Sequence, residues 1–262
     1  MNIDYLGARP TLIAFWTLFI KEMKRFMRIW SQTLLPPAIT MGLYFIIFGK
    51  FIGSQIQHIH GFTYMQYIVP GLVMMSLMTS AYANTSTSFF FCKFNKSIEE
   101  MLVSPMPSLI ILLGFLTAGA FRGLIVGAIV LVVALGFTHL PVVHPFVVIS
   151  MGVLASAVFS LGGLINGIYA KRFDDISFVP TFVLTPLTYL GGVFYSIDQL
   201  PPFWRSVSLF NPVLNIVDTF RFGVLGIADL NIAIGFSMIL VCFFALFFWA
   251  WWCLKNGVGV KV

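Results

Sequence analysis

The sequence predicts an all-α membrane protein: six transmembrane helices, an amphipathic interfacial helix ahead of them, and short re-entrant helices between helices five and six. Three observations carry this. Of 262 residues, 59% are hydrophobic and 9% charged, whereas a soluble domain is about 45–50% apolar and about 25% charged. The apolar residues form unbroken runs such as Leu124–Gly136 and Ile232–Leu254, enough for a helical span of about 20 residues. An outer-membrane barrel would instead alternate over strands of about 10 residues. Lys and Arg, finally, segregate to alternate loops. The composition also excludes disorder, collagen and a nucleic-acid arm, so the net charge of +6 reads as membrane orientation, with no nucleic-acid partner. Six spans use about 120–130 residues, which divides the chain into a cytoplasmic N-terminus with its interfacial helix, 1–28, and a six-span domain, 29–262.

The N-terminus carries Asp4 and Arg9, and its apolar run Leu12–Ile20 is followed by Lys21-Glu22-Met23-Lys24-Arg25 without a small-residue cleavage site, so no removable signal peptide is expected. Over Thr11–Arg28, Leu12, Phe15, Trp16, Phe19, Met23, Phe26 and Met27 share one helical face, and Thr17, Lys21, Lys24 and Arg28 the other. A basic polar face opposite a large apolar one is the pattern of a helix lying on the membrane.

The spans are predicted at about Ile29–Gly49, Phe62–Ala83, Leu109–Phe137, Phe146–Ala170, Phe178–Ser196 and Ile232–Leu254. With the N-terminus inside, eleven Lys and Arg are cytoplasmic (Arg9, Lys21, Lys24, Arg25, Arg28, Lys93, Lys96, Lys171, Arg172, Lys255, Lys261) and three are outside (Lys50, Arg205, Arg221). Both termini are therefore expected in the cytoplasm. Trp249, Trp251 and Trp252 before Lys255 fit an aromatic belt at the inner interface. Pro36-Pro37, Pro180 and Pro186 predict kinks. Gly119, Gly123 and Gly127 in the third span, and Gly163 and Gly167 in the fourth, predict close helix packing.

In the first inner loop, Ser97 and Glu100 stand at capping-box spacing and Pro105 is placed to stop a helix of about two turns. Ile98, Met101 and Leu102 share one side of it. So short a helix must dock, either on the chain's own interfacial helix or on a cytoplasmic partner. Between spans five and six, Asp198-Gln199-Leu200-Pro201-Pro202-Phe203-Trp204-Arg205 precedes an Asn211 N-cap and a Pro212 in the first turn. An apolar stripe follows at Val213, Ile216, Val217, Phe220 and Val224, with Asp218 and Arg221 spaced to pair. Helices dipping into the outer leaflet, or one lying flat on the surface, would explain this composition. Arg122 falls mid-span, where a charge faces protein or water; it either lines a cargo path or partners a carbonyl or polar side chain. Asp174 and Asp175 read as solvated charges or a docking surface, and His58 and His60 as ordinary loop residues. Cys92, Cys242 and Cys253 form no CxxC pair. No phosphate loop, nucleophile elbow or zinc helix is present, so no catalytic residue and no metal is expected.

Taken together, the chain resembles the membrane subunits of ABC-type exporters of the drug- and polysaccharide-export class along nearly its whole length. The resemblance rests on the basic N-terminal helix with Lys21-Glu22 and Arg25, on Glu99-Glu100-Met101-Leu102-Val103-Ser104-Pro105, and on Pro186-Leu187-Thr188-Tyr189-Leu190-Gly191-Gly192-Val193-Phe194-Tyr195. Leu200-Pro201-Pro202-Phe203-Trp204, Asn211-Pro212 and Arg221 complete it. It implies a permease of the bacterial inner membrane that pairs with a second copy, sits among membrane lipid, and binds two cytoplasmic P-loop ATPase subunits. ATP and Mg would then belong to the partner, and this chain would hold no cofactor. It implies further that Ser97, Ile98, Glu99, Glu100, Met101, Leu102, Val103 and Ser104 form the helix coupled to the ATPase. The interfacial helix, with Lys21, Glu22, Lys24, Arg25 and Arg28, would pass ATPase motion to the first span. The segment with Pro201, Pro202, Asn211, Pro212, Asp218 and Arg221 would close the outer end of the path. The chain departs from polysaccharide exporters in having no aromatic line along a continuous channel, which speaks against sugar cargo. An ion-driven transporter, or a scaffold without transport, is the alternative; no Asp or Glu falls centrally in the predicted spans.

Overall fold

The computed structural model describes residues 8–53, 59–104 and 106–259; Asp4, His58, Pro105 and Lys261 lie outside them. Among the described residues the β pairing is confined to one bridge between Ile59 and Phe62, and the regular structure is otherwise helical. The first helix, α1, covers Ala8–Arg28, and α2 covers Trp30–Tyr44, running on as π-helical turns over Phe45–Ile52. Next come α3 (Tyr64–Phe94), α4 (Ser97–Val103), α5 (Ser108–Leu135) and α6 (Pro145–Tyr169). A broken run follows: α7 (Phe173–Val179), a π-helical segment at Pro180–Leu184, and α8 (Thr185–Tyr189). After a 3-10 turn at Ile197–Gln199 come α9 (Pro202–Leu209), α10 (Pro212–Leu225) and α11 (Ile232–Asn256). Among the described residues four helical stretches, Trp30–Gly49, Ser108–Leu135, Pro145–Tyr169 and Ile232–Asn256, are long and apolar enough to cross a membrane.

The bundle is built around α3, which packs against α5, α6 and α10. Hydropathy falls after Ala83, where the expected span ended, yet the helix continues to Phe94. The reason is where its polar side chains point. Ser76, Ser80, Asn84, Thr85, Ser86 and Ser88 are buried, and the Thr85 and Ser160 hydroxyls share a hydrogen bond of 2.8 Å between α3 and α6. Low hydropathy here marks a helix surrounded by protein, where interhelical hydrogen bonds take the place of lipid contact.

The glycine stripes meet this same helix, as their spacing predicts. A Cβ on Gly123 of α5 would stand 2.9 Å from the Leu77 carbonyl oxygen, and one on Gly167 of α6 would stand 3.0 Å from that of Ser86. Only a hydrogen side chain admits these approaches. Among the described residues the buried apolar side chains form two clusters, named after the topology that the charge count predicts: an outer one containing Phe45, Tyr67, Met151, Val213 and Phe220, and an inner one containing Leu18, Phe89, Ile98, Phe115 and Cys253.

The fifth expected span, Phe178–Ser196, is corrected at both ends. Helical structure begins at Phe173 and stops at Tyr189, short of Gly191-Gly192. Proline explains the break: Pro186 has no N–H to return to the preceding turn, and the Thr185 N–H reaches back five residues to the Pro180 carbonyl, widening the helix. By contrast, α2 continues through Pro36 and Pro37 and widens only from Phe45.

Candidate functional site

Charged side chains gather at two places, one beside the inner cluster and one beside the outer. At the inner end α1 has three faces rather than two. Leu18, Glu22 and Phe26 are buried; Leu12, Ile13, Trp16, Ile20 and Met27 are exposed apolar residues; Lys21, Lys24 and Arg28 are exposed and basic. The buried positions are spaced by four and lie against α5, Leu18 filling the space that a side chain on Gly114 would need. Glu22, although flanked by basic residues in sequence, is thus drawn into the protein.

There Glu22 accepts hydrogen bonds from the Arg25 Nε at 3.1 Å and from the Ser88 hydroxyl. The Arg25 Nη2 donates to Asn84 Oδ1 at 3.0 Å, and the Arg122 Nη1 donates to the same oxygen at 3.0 Å. One amide oxygen on α3 therefore serves guanidinium groups from α1 and α5. Arg122 also stands over the Phe26 ring, 5.5 Å from its centroid. Of the two roles open to Arg122, partner to a polar side chain is the one seen. The cluster is incomplete: Glu22 Oε1 and Arg122 Nε are buried without a hydrogen-bond partner, and the carboxylate pairs with Arg25 alone of the two guanidinium groups.

Beside this cluster, α4 starts at Ser97, but the expected capping box does not form. Only Asn95 and Lys96 separate α3 from α4, and Lys96 makes the reversal in the left-handed region, φ 59°. The Ser97 hydroxyl donates instead to the Cys92 carbonyl at 3.1 Å, one of the last-turn carbonyls of α3 that a helix end leaves without an intrahelical donor. Ile98 is buried in the inner cluster, with Met101 and Leu102 packed against that cluster. The apolar side of α4 thus docks on its own chain. Glu99, Glu100 and Val103 point away, Val103 with 88% of its surface exposed. Asp175, in the first turn of α7, is a solvated charge that also caps the chain: its Oδ2 accepts the Lys171 and Arg172 N–H groups at 2.8 and 2.9 Å, and these donors hold its carboxyl below the usual carboxylate range.

At the outer end the predicted start of α10 is present: Asn211 Oδ1 accepts the Val213 N–H at 2.9 Å, and Pro212 occupies the first turn. Burial extends well past the predicted stripe, to Asn215, Asp218, Thr219 and Arg221, because α10 is enclosed by α3, α6 and α11. Asp218 and Arg221 pair at 3.5 Å, and protein alone buries both charges. The Arg221 Nε donates to the Tyr67 carbonyl at 3.3 Å and the Nη2 to the Gly192 carbonyl at 2.5 Å. Its guanidinium lies 4.0 Å from the Tyr67 ring centroid. Asp218 also accepts the Asp229 and Leu230 N–H groups at 3.0 and 2.9 Å. Pro201 and Pro202 begin α9, which leaves Phe203, Trp204 and Phe210 exposed, and Asp198 meets Arg205 at 2.9 Å on the surface.

Asn84, Ser88, Tyr67 and Gly192 are the members of these clusters that sequence reasoning missed. An Asn inside an apolar helix, and the four-residue spacing of Leu18, Glu22 and Phe26, were the available signals. A cavity of about 610 Å³ opens between α6, the α7–α8 run and α11, with Tyr82, Asn166, Leu184 and Trp249 in its wall and no charged lining residue among those described.

A model of the family described as ABC-2 type transporter matches residues 13–225, a stretch that contains both charged clusters. The chain is 51% identical over 250 residues to the inner membrane transport permease YadH of Escherichia coli (strain K12), covering 95% of this chain and 97% of that protein. Nodulation protein J of Rhizobium leguminosarum bv. viciae is 27% identical over 203 residues, 76% of this chain and 77% of the relative. Its counterpart in bv. trifolii is 30% identical over 188 residues, 70% and 71% of the two chains.

Proposed function

Because this chain belongs to the ABC-2 type transporter family and is a membrane permease subunit of an ABC transporter, we propose that a separate ATPase drives it through α4 at the inner end. The family sets aside the ion-driven transporter and the scaffold. The observation that carries the proposal is the double character of α4. Ile98, Met101 and Leu102 fasten it to the inner cluster, while Glu99, Glu100 and Val103 form a face that its own chain leaves uncovered. A push on that face reaches α1 and α3 directly, since Ile98, Leu18 and Phe89 belong to one cluster.

In this reading ATP and Mg bind the partner, the permease works as a pair of copies in export, and this chain has no hydrolytic site of its own. The chain crosses the membrane six times, through α2, α3, α5, α6, the helical run from about Phe178 to the end of α8, and α11, with both termini inside and α9–α10 entering from outside without crossing. Two further features support it. The 31 residues of α3 extend about 46 Å, ample for a hydrocarbon layer of about 30 Å, and its low hydropathy reflects the protein around it. Asn84, ten residues from its inner end, meets the Arg122 charge that lies midway along α5, so that charge faces a polar group of the protein rather than lipid.

The experiment is co-purification with tagged permease. Glu99→Lys with Glu100→Lys is expected to abolish recovery of a P-loop ATPase while melting temperature and membrane insertion stay unchanged. Equal recovery from wild type and variant would sink the assignment of α4. For topology, Ser206→Cys and Lys255→Cys are made separately in a chain lacking the three native cysteines. An impermeant thiol reagent outside intact spheroplasts is expected to label only the first; labelling of the second would refute six spans.

A further inference from the structure

Three separate segments meet at the outer surface beyond the cluster around Arg221. His60 lies in the connection leading to α3, Asp198 in the 3-10 turn ahead of α9, and Asp229 in the loop between α10 and α11. One potential ligand atom from each falls within 4.8 Å of the other two. Asp229 is held from both sides. Its carboxylate Oδ2 accepts the Tyr67 hydroxyl at 3.1 Å and the Ser196 hydroxyl at 2.7 Å, and its backbone N–H donates to Asp218. Its other oxygen, Oδ1, faces His60 Nε2 at 3.4 Å. That separation is long for an N–H···O hydrogen bond, which centres on about 2.9–3.0 Å. Two ligands each about 2.1 Å from one tetrahedral ion stand about 3.4 Å apart.

We propose that His60, Asp198 and Asp229 form a divalent transition-metal site of the zinc class at the outer end. An imidazole with two carboxylates suits such an ion better than Mg or Ca, which take oxygen ligands. Three protein ligands leave a fourth position for solvent. Tyr67 and Ser196 orient the Asp229 carboxylate as outer groups orient metal ligands elsewhere. Asp198 engages Arg205 through Oδ1 at 2.9 Å, and a carboxylate has a second oxygen to offer, so the ion and the arginine are accommodated together. Bound there, the ion ties the connection before α3 to the segments on either side of α9–α10 and stiffens the outer end.

The test uses the full chain in detergent, purified without a polyhistidine tag and stripped with a chelator, then titrated with ZnCl2 by calorimetry. The variants are His60→Asn, chosen because His60 has φ 49° and Asn tolerates that region, and Asp198→Asn. Asp229 is left alone because Tyr67 and Ser196 depend on it. Wild type is expected to bind one zinc per chain saturably and to melt higher with it, and MgCl2 is expected to do neither. Each variant is expected to melt as wild type without metal and to bind zinc about tenfold more weakly or worse. Absence of saturable binding, or binding unchanged in either variant, overturns the site. Neither outcome depends on an ATPase, so the proposal for α4 stands or falls separately.

Discussion

The two charged clusters differ in how completely they are satisfied. At the outer end Arg221 has an aspartate, two carbonyls and an aromatic face, and Asp218 has a guanidinium and two backbone N–H groups. At the inner end a buried glutamate oxygen and a buried guanidinium nitrogen lack partners, and two arginines share one amide oxygen. A satisfied buried network rigidifies; an unsatisfied one is held only by its surroundings and changes arrangement at lower cost. The contrast holds for the charged groups themselves, since nearby Tyr195 Oη and Ser208 Oγ are also buried without partners; with energy arriving through α4, as proposed, the Arg221 network would be the fixed part and the Glu22 cluster the part free to move.

The largest expected effect breaks the outer network. Arg221→Met leaves Asp218 buried without its cation, and the carbonyls of Tyr67 and Gly192 without a donor. Removing one partner of a buried pair costs about 3–5 kcal/mol, so the melting temperature of the purified permease is expected to fall steeply. Arg221→Lys is expected to rescue little, because an ammonium cannot reproduce the fork that reaches three acceptors. If Arg221→Met melts within a degree or two of wild type, the outer end is not the fixed one.

A smaller effect is expected inside. Glu22→Gln keeps an acceptor for Ser88 but leaves Arg25 and Arg122 converging on Asn84 without a counter-charge. Arg25 is 31% exposed, so water screens part of this, and the loss is expected at about 1–3 kcal/mol. Arg122→Met should cost little, since one of its nitrogens is already unpaired, and in the Glu22→Gln background it should restore much of the stability. A double-mutant cycle by thermal melting checks this. Additive losses would show that the two arginines do not strain the cluster, and the contrast between the ends would go with them.

What could be read beforehand follows from which interactions are local. The Asn211 cap, the Asp218–Arg221 pair and the glycine stripes all depend on residues a few positions apart, and each is present. The burial of Glu22, the length of α3 and the reversal at Lys96 depend on what lies opposite. Periodicity places Glu22 on a helix, but only α3 and α5 beside it decide that this face is interior. Likewise, hydropathy cannot separate a polar stretch that ends a span from one that faces other helices, and so α3 was expected eleven residues too short. The widened turn after Pro180 is intermediate: proline announces a break, while the return of the Thr185 N–H to Pro180 is settled by packing.

The smallest expected effect lies in the exposed inner loop, outside both clusters, and shows whether the inner end is loose as a whole or only at Glu22. Asp175 accepts the N–H groups of Lys171 and Arg172 and closes the first turn of α7. Those two donors depress its carboxyl. A depressed folded-state value means that the stabilising contribution is complete above the ordinary aspartate value of about 3.9 and is lost as the pH falls below it. Between pH 7 and pH 5 the cap is therefore expected to be constant. Asp175→Ala should speed amide hydrogen exchange at Lys171, Arg172 and their neighbours at pH 7, while the melting temperature and exchange in α3 stay as in wild type. In acid, once the carboxyl is protonated, wild type and variant should converge. Faster exchange in α3 as well would mean that this loop and the Glu22 cluster open together, and that the looseness of the inner end extends beyond the charges that lack partners.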